Sequence, residues 1–173
     1  MYYSNIKRLL RTNSNTAKGL EGEAVVRMYL KRYRYKFYNL VLPKAQIDHL
    51  LVNEKGIFVI ETKNYQGIIF SAKTDGDWTQ VTKTKTTFLN PLTQNEHHIK
   101  ILKSYFNEYE HLFKSLVIFT KANVTLKVSF DNVIKVSDIE KYFSSLETIL
   151  NSSEIIEIFN KLNEKLLKIE IKK

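Results

Sequence analysis

At 173 residues, with 43% hydrophobic and 26% charged residues, the chain is long enough to bury a sizeable core as one domain, and disordered or low-complexity classes are excluded. No apolar run approaches the roughly 18 residues that cross a bilayer and no signal peptide is legible, so a soluble, cytoplasmic protein without membrane contact is the expectation. Cysteine is absent, which excludes disulfides and thiolate metal sites, and the formal net charge is +9.

Residues 1–17 are polar and basic with little periodicity and read as an arm. From Lys18 to about Arg34, the residues Leu20, Ala24, Val25, Met28 and Leu30 recur at helical spacing. Phe37 to Leu42 reads as a strand that Pro43 ends. Ile47 to Asn53 and Gly56 to Thr62 are rich in β-branched and aromatic residues and predict two strands joined by a turn at Glu54, Lys55 and Gly56. Gly67 to Phe70 and Trp78 to Thr82 predict a minor hairpin around Asp75-Gly76-Asp77.

Asn90-Pro91 predicts a helix start, with Asn as the cap and Pro in the first turn. Ile99, Leu102, Phe106, Tyr109 and Phe113 form one stripe of that helix. Ser115 to Thr120 has strand length and apolarity, Val124 to Phe130 and Asn132 to Val136 are weaker strands, and helices are expected near 137–148 and 152–169. The order predicts an α/β fold around a mixed central sheet flanked by helices. Its divisions are the arm 1–17, a core 18–136 and a C-terminal helical extension 137–173 packed on the core.

Charge is concentrated at the start. Residues 1–36 hold nine Lys or Arg against Glu21 and Glu23. Such a bias attracts polyanions by counterion release, so nucleic acid is the first partner to consider. A basic surface that serves solubility accounts for it equally well.

The acids within the two central strands carry more information. With a two-residue turn at Glu54-Lys55, Asn53 faces Gly56, and the same register sets Asp48 against Glu61. Their Cβ atoms would lie roughly 4.5–5.5 Å apart. Lys63 follows Glu61 by two positions and projects from the same face. Two like charges at this distance repel unless a cation sits between them, and a hard divalent ion such as Mg²⁺ takes oxygen ligands of this kind. Such an ion makes a water easier to deprotonate, and an adjacent Lys stabilises charge developing on a phosphate. Read without chemistry, the same residues make an Asp–Lys ion pair beside an end-of-strand Glu.

Three more features bear on this choice. Glu23 lies on the core-facing side of the first helix, where it reaches a metal shell or pairs with a Lys. Gln94 sits in the first turn of the Asn-Pro helix, four residues before His98. His97 and His98 make no metal spacing with His49 or His111, so no histidine metal site is expected.

GLEGE at 19–23, QIDHLLV at 46–52, GIFVIETKNYQG at 56–67 and NPLTQNEHHI at 90–99 together resemble the nuclease-related domain family. These four linked motifs span roughly residues 18–120 in the expected order. That family is regarded as a branch of the PD-(D/E)xK nucleases, so the resemblance implies a restriction-endonuclease-like core, αβββαβ. It implies Asp48, Glu61 and the Thr62 backbone carbonyl as ligands of Mg²⁺ or Mn²⁺, with Glu23 as a further candidate ligand. Lys63 would be the catalytic lysine, with Glu23 and Gln94 completing the catalytic set. Position 47 is Ile where the broader superfamily often has Pro. Members are often fused to helicase, kinase, zinc-ribbon or membrane segments, and none is legible here.

The expectation is a metal-dependent nuclease acting on DNA, RNA not being excluded, as an endonuclease or nickase in bacterial or plasmid DNA processing or defence. Lys18, Arg27, Lys31, Arg34, Asn64 and His98 are the candidates for nucleic-acid contact. The alternative is a catalytically inactive nucleic-acid-binding module of the same fold. A third reading gives the tail stripe Ile155, Phe159, Leu162, Leu166 and Ile169 to a homodimer, against the simpler role of covering the core.

Overall fold

The computed structural model describes residues 17–71 and 76–171. The expected arm and the Asp75 corner of the minor hairpin therefore fall wholly or largely outside the described residues. Two sheets organise the chain. The first has five strands in the order β1 (Tyr35–Leu42), β2 (Ala45–Asn53), β3 (Gly56–Lys63), β7 (Phe113–Phe119) and β9 (Val133–Lys135). β1–β2 and β2–β3 are antiparallel, whereas β3–β7 and β7–β9 are parallel.

β2 and β3 are the centre of this sheet because their residues are apolar toward both faces. On one face Leu50, Val52, Ile57 and Val59 pack with Leu102 and Phe106, and with Ile155, Ile158, Leu162 and Leu166 of the C-terminal helix. On the other, Leu51, Phe58 and Ile60 pack with Val26 of the first helix, with Leu30 just after it, and with Ile139 and Phe143. The hairpin turn is the predicted one: Asn53 faces Gly56, and Asn53 Oδ1 accepts from Lys55 N–H at 2.9 Å. Gly56 has φ +128°, and a Cβ there would stand 2.9 Å from the Leu112 carbonyl oxygen, so the turn requires glycine.

The helices depart from expectation at their ends. The first helix, α1, covers residues 17–29 and gives way to a 3₁₀ turn at Leu30–Arg32 before Arg34 is reached. The second, α2, spans Pro91–Tyr105 with Asn90 Oδ1 capping Leu92 N–H at 3.0 Å, as the Asn-Pro start predicts. It does not run on to Phe113. A 3₁₀ segment, Asn107–Leu112, follows, and Phe113 opens β7. Leu102, Phe106, Leu112 and Phe113 all enter one core, so the apolar spacing persists while the backbone changes from helix to strand. Two further helices, α3 (Ile139–Ser145) and α4 (Ser152–Ile171), close the fold. The α4 stripe covers the chain's own core: Ile155, Leu162 and Leu166 are buried, and Phe159 stacks on Phe37 at 4.8 Å.

The expected minor hairpin is part of a second, four-stranded sheet, ordered β6 (Lys85–Phe88), β5 (Trp78–Val81), β4 (Gly67–Phe70) and β8 (Val124–Lys127). β4 and β8 run parallel. Ile69, Trp78 and Val124 close it onto Leu92, Val117 and Phe119. Among the described residues no helix is long and apolar enough to cross a membrane.

Candidate active site

The β2–β3 ladder is recorded from Asn53↔Gly56 to His49↔Ile60, and one further step in that register sets Asp48 against Glu61. On its other side, β2 pairs with β1 at Tyr38↔His49 and at Leu40↔Ile47, passing over Asn39 and Asp48. Asp48 is thus passed over by the β1–β2 ladder and lies one residue beyond the end of the β2–β3 ladder. Asn39, opposite it, has φ +49°, a left-handed conformation that Asn tolerates better than most residues.

Asp48 makes its own bond instead: Thr62 N–H donates to its Oδ2 at 2.9 Å. The N–H and C=O of a strand residue leave on the same side, so the Thr62 carbonyl also faces the Asp48 side of β3.

Glu61 is 4% exposed, and Lys63 Nζ donates to its Oε1 at 2.8 Å and to Gln94 Oε1 at 2.9 Å. His98 Nδ1 stands 3.8 Å from Glu61 Oε2. Glu23 approaches from α1 with its Oε2 3.5 Å from Arg27 Nη2. Of the expected catalytic residues, Asp48, Glu61, Lys63 and Gln94 therefore meet at one end of β3, with Glu23 close enough to act on both carboxylates electrostatically.

Burial, and then the charge of Glu61, pushes the Asp48 carboxyl up from 3.8 to about 6. Burial raises Glu61 too, against the opposing pull of Lys63, and it raises Glu23 with help from the Asp48 charge. Burial lowers His98, so its contact with Glu61 at neutral pH is not an ion pair. His49, fully buried, is driven down to about 3 by burial and is neutral.

Asp48 and Glu61 are the residues of this group that could hold a cation. Among the described residues no group of three or more His, Asp or Glu side chains is arranged to enclose a metal ion. Mg²⁺ commonly takes only one or two carboxylates and keeps several waters, so Asp48, Glu61 and the Thr62 carbonyl fit an ion of that type.

The expected nucleic-acid contacts divide. Lys18, Lys31 and Arg34 are exposed, but Lys18 lies at the start of α1 and Lys31 in the 3₁₀ turn beyond its other end, roughly 20 Å away for about thirteen residues of helical rise. Arg27 pairs with Glu23 and lies over the Tyr38 ring at 5.1 Å. His98 is buried against Glu61 rather than open to a partner. Asn64 ties α1 to β3: its Nδ2 donates to the Lys18 carbonyl at 2.7 Å and to Glu21 at 3.0 Å, and its Oδ1 accepts from Thr120 at 2.7 Å.

Sequence reasoning missed Asn95, whose buried Nδ2 donates to Val59 O at 2.7 Å and Ser115 Oγ at 2.9 Å, fixing α2 across β3 and β7. Its spacing from Leu92 and Leu102 on the apolar side of α2 was the available signal.

Gly22 sets how closely α1 approaches. A Cβ there would stand 2.8 Å from Asn64 Cβ and 3.3 Å from Thr62 Cγ2. Gly22→Val is expected to lift α1 off the end of β3, lowering Tm and withdrawing Glu23. A thermal melt and a crystal structure of the variant check this, and an unchanged melt with α1 in place would refute it.

The profile of the nuclease-related domain (NERD) family matches residues 18–120. The chain belongs to the nuclease-related domain family. The NERD match runs from α1 to Thr120 just after β7, and so contains every residue of the site described above. An uncharacterized protein of Bacillus anthracis, pXO1-01, is 29% identical over 157 residues, covering 83% of this chain and 74% of that protein. No solved structure matches the chain significantly. β8, β9, α3 and α4 lie beyond the NERD match.

Proposed function

We propose that this NERD protein is a Mg²⁺- or Mn²⁺-dependent nuclease that hydrolyses phosphodiester bonds in DNA, as an endonuclease or nickase. The observation that carries the reading is that Asp48, just past the His49↔Ile60 end of the β2–β3 ladder, bonds Thr62 N–H while Lys63 bonds the neighbouring Glu61, on strands whose other residues build the core. Asp48, Glu61 and the Thr62 carbonyl would hold the ion, with Glu23 at its edge. Such an ion supplies Lewis acidity toward phosphate and lowers the pKa of a water.

Lys63 has three ammonium protons, and two are directed at Glu61 and Gln94. The third is free for an attacking water or a phosphate oxygen, and the two anchors fix where it points. Gln94 is thus a positioning residue for Lys63. Glu61 has a second role, because its charge keeps the Lys63 ammonium in place within a largely desolvated pocket.

The test is cleavage of supercoiled, linear and single-stranded DNA and of RNA, with Mg²⁺, Mn²⁺ or EDTA, beside Lys63→Ala. Supercoiled DNA is expected to be nicked or linearised only with the divalent ion, and Lys63→Ala to be slower by about 10²–10³. Equal rates for the variant and wild type would sink the assignment. Salt-sensitive binding without cleavage would mark a binding module instead.

A further inference from the structure

A cavity of about 590 Å³ opens beside the candidate site, where β3 and β7 leave the first sheet. It borrows Thr62 and Lys63 from the site and adds groups that the proposed chemistry does not use: Lys18 and Glu21 of α1, Asn64 and Tyr65 after β3, Gln80 of β5, and Lys121 after β7. Its size falls in the range of small-ligand pockets, but its lining is polar and charged rather than apolar.

We propose that this cavity binds the nucleotide next to the bond that is cut, with Lys121 as its phosphate-binding group and Glu21 holding that lysine until a phosphate displaces it. The proposal rests on the phosphodiester-cleaving reading of the adjoining Lys63. A strand laid with one phosphate at Lys63 carries its neighbouring nucleotide past this opening.

The lining matches the parts of a nucleotide. Lys121 Nζ contacts both Glu21 oxygens, at 2.9 and 3.1 Å, and this pair is open to solvent at 34% and 57% exposure. Exposed pairs of this kind are weak and screened by salt, so a phosphate dianion or diester competes for the ammonium at little cost. Lys18, on the same wall, supplies a second cation. Gln80 uses one amide proton on the Gln66 carbonyl at 2.8 Å, which fixes the amide plane and leaves its oxygen and second proton for a base edge. Tyr65 is held by an edge contact with Phe88 at 4.7 Å, and its half-exposed ring is suited to stacking on a base.

A tether that merely anchors α1 and a latch that phosphate opens make opposite predictions for Glu21. Binding of a short fluorescein-labelled oligodeoxynucleotide is followed by anisotropy in EDTA over a salt series, with Tm measured for each variant. Lys121→Ala is expected to weaken binding about tenfold and to lower the log–log salt slope by about 0.7, the loss of one phosphate contact. Lys121→Arg is expected to retain the affinity. Glu21→Gln is expected to bind severalfold tighter, because the competing carboxylate is gone.

If Glu21→Gln and Lys121→Ala lower Tm alike and leave the affinity within about twofold of wild type, the pair is only a tether and the proposal falls. The two readings fail separately. Asp48-dependent cleavage with affinity unmoved by either variant removes the subsite alone. Affinity that shifts as expected without any metal-dependent cleavage leaves the subsite and removes the chemistry.

Discussion

Asp48→Asn is expected to lose cleavage by about 10²–10³ or more and, with divalent ions removed, to be more stable than wild type at neutral pH. The stability gain follows from linkage. The Asp48 carboxyl is raised from 3.8 to about 6 in the folded protein by burial and by Glu61. Between those values the folded state keeps a proton that the unfolded chain releases, so the fold loses stability as pH rises through this window. Below it the contribution is fully present, and above about 6 it is gone. Glu61 and Glu23 are raised in the same direction and add to the same slope.

Asn removes the charge but keeps an oxygen to accept from Thr62 N–H. Thermal unfolding in EDTA from about pH 4 to 8 should show a flatter profile for the variant. Adding Mg²⁺ should raise the wild-type Tm and leave that of the variant unchanged. A variant less stable than wild type at neutral pH would mean that the Asp48 charge is already compensated within the protein.

Trp78→Ala is expected to cost about 3–5 kcal/mol, a loss on the order of 10 °C in Tm for a chain of this length. Trp78 is fully buried, stacks on Phe130 at 6.0 Å and meets the edge of Phe88 at 6.3 Å. It also joins the second sheet to Val117 and Phe119 of β7. Hydrogen exchange should therefore quicken first in β4, β5, β6 and β8, and least in β2 and β3. Trp78→Phe should cost far less, because the indole N–H it removes has no partner among the described residues. Equal losses for Phe and Ala, or uniform exchange across both sheets, would contradict this account.

The site was legible to the extent that it is local. The two-residue turn and the register as far as His49↔Ile60 followed from the turn residues, and Lys63 beside Glu61 followed from the period of two along a strand. Glu23 was marked by its helix face and Gln94 by its helix start, but their catalytic roles came from linked motifs, since nothing local to them says that α1 and α2 converge on β3.

Features that depend on distant pairing stayed hidden. β6 reads as a Lys-Thr alternation because an exposed edge strand carries no apolar signal. The parallel pairing of β4 with β8 brings together segments more than fifty residues apart. Phe113 kept a helical spacing from Phe106 and Tyr109 although the backbone between them had already tightened and turned into a strand. The break in the β1–β2 ladder at Asp48 coincides with the left-handed Asn39 across from it, a conformation that composition does not announce.

The way β3 and β7 pass from one sheet into the other has a mechanical consequence. Each strand continues, after a few residues, into a partner that is again parallel, β4 beside β8. The two short bridges are lashed together: Thr120 N–H donates to Lys63 O at 3.1 Å, Gly67 N–H to Asn123 O at 3.3 Å, and the Thr120 hydroxyl to Asn64. With both ends sewn into sheets, that side of the cleft behaves as a fixed jaw. The opposite side, α1, meets it through polar contacts from Asn64 and Lys121 and through the close approach at Gly22, with Val26 seated in the core.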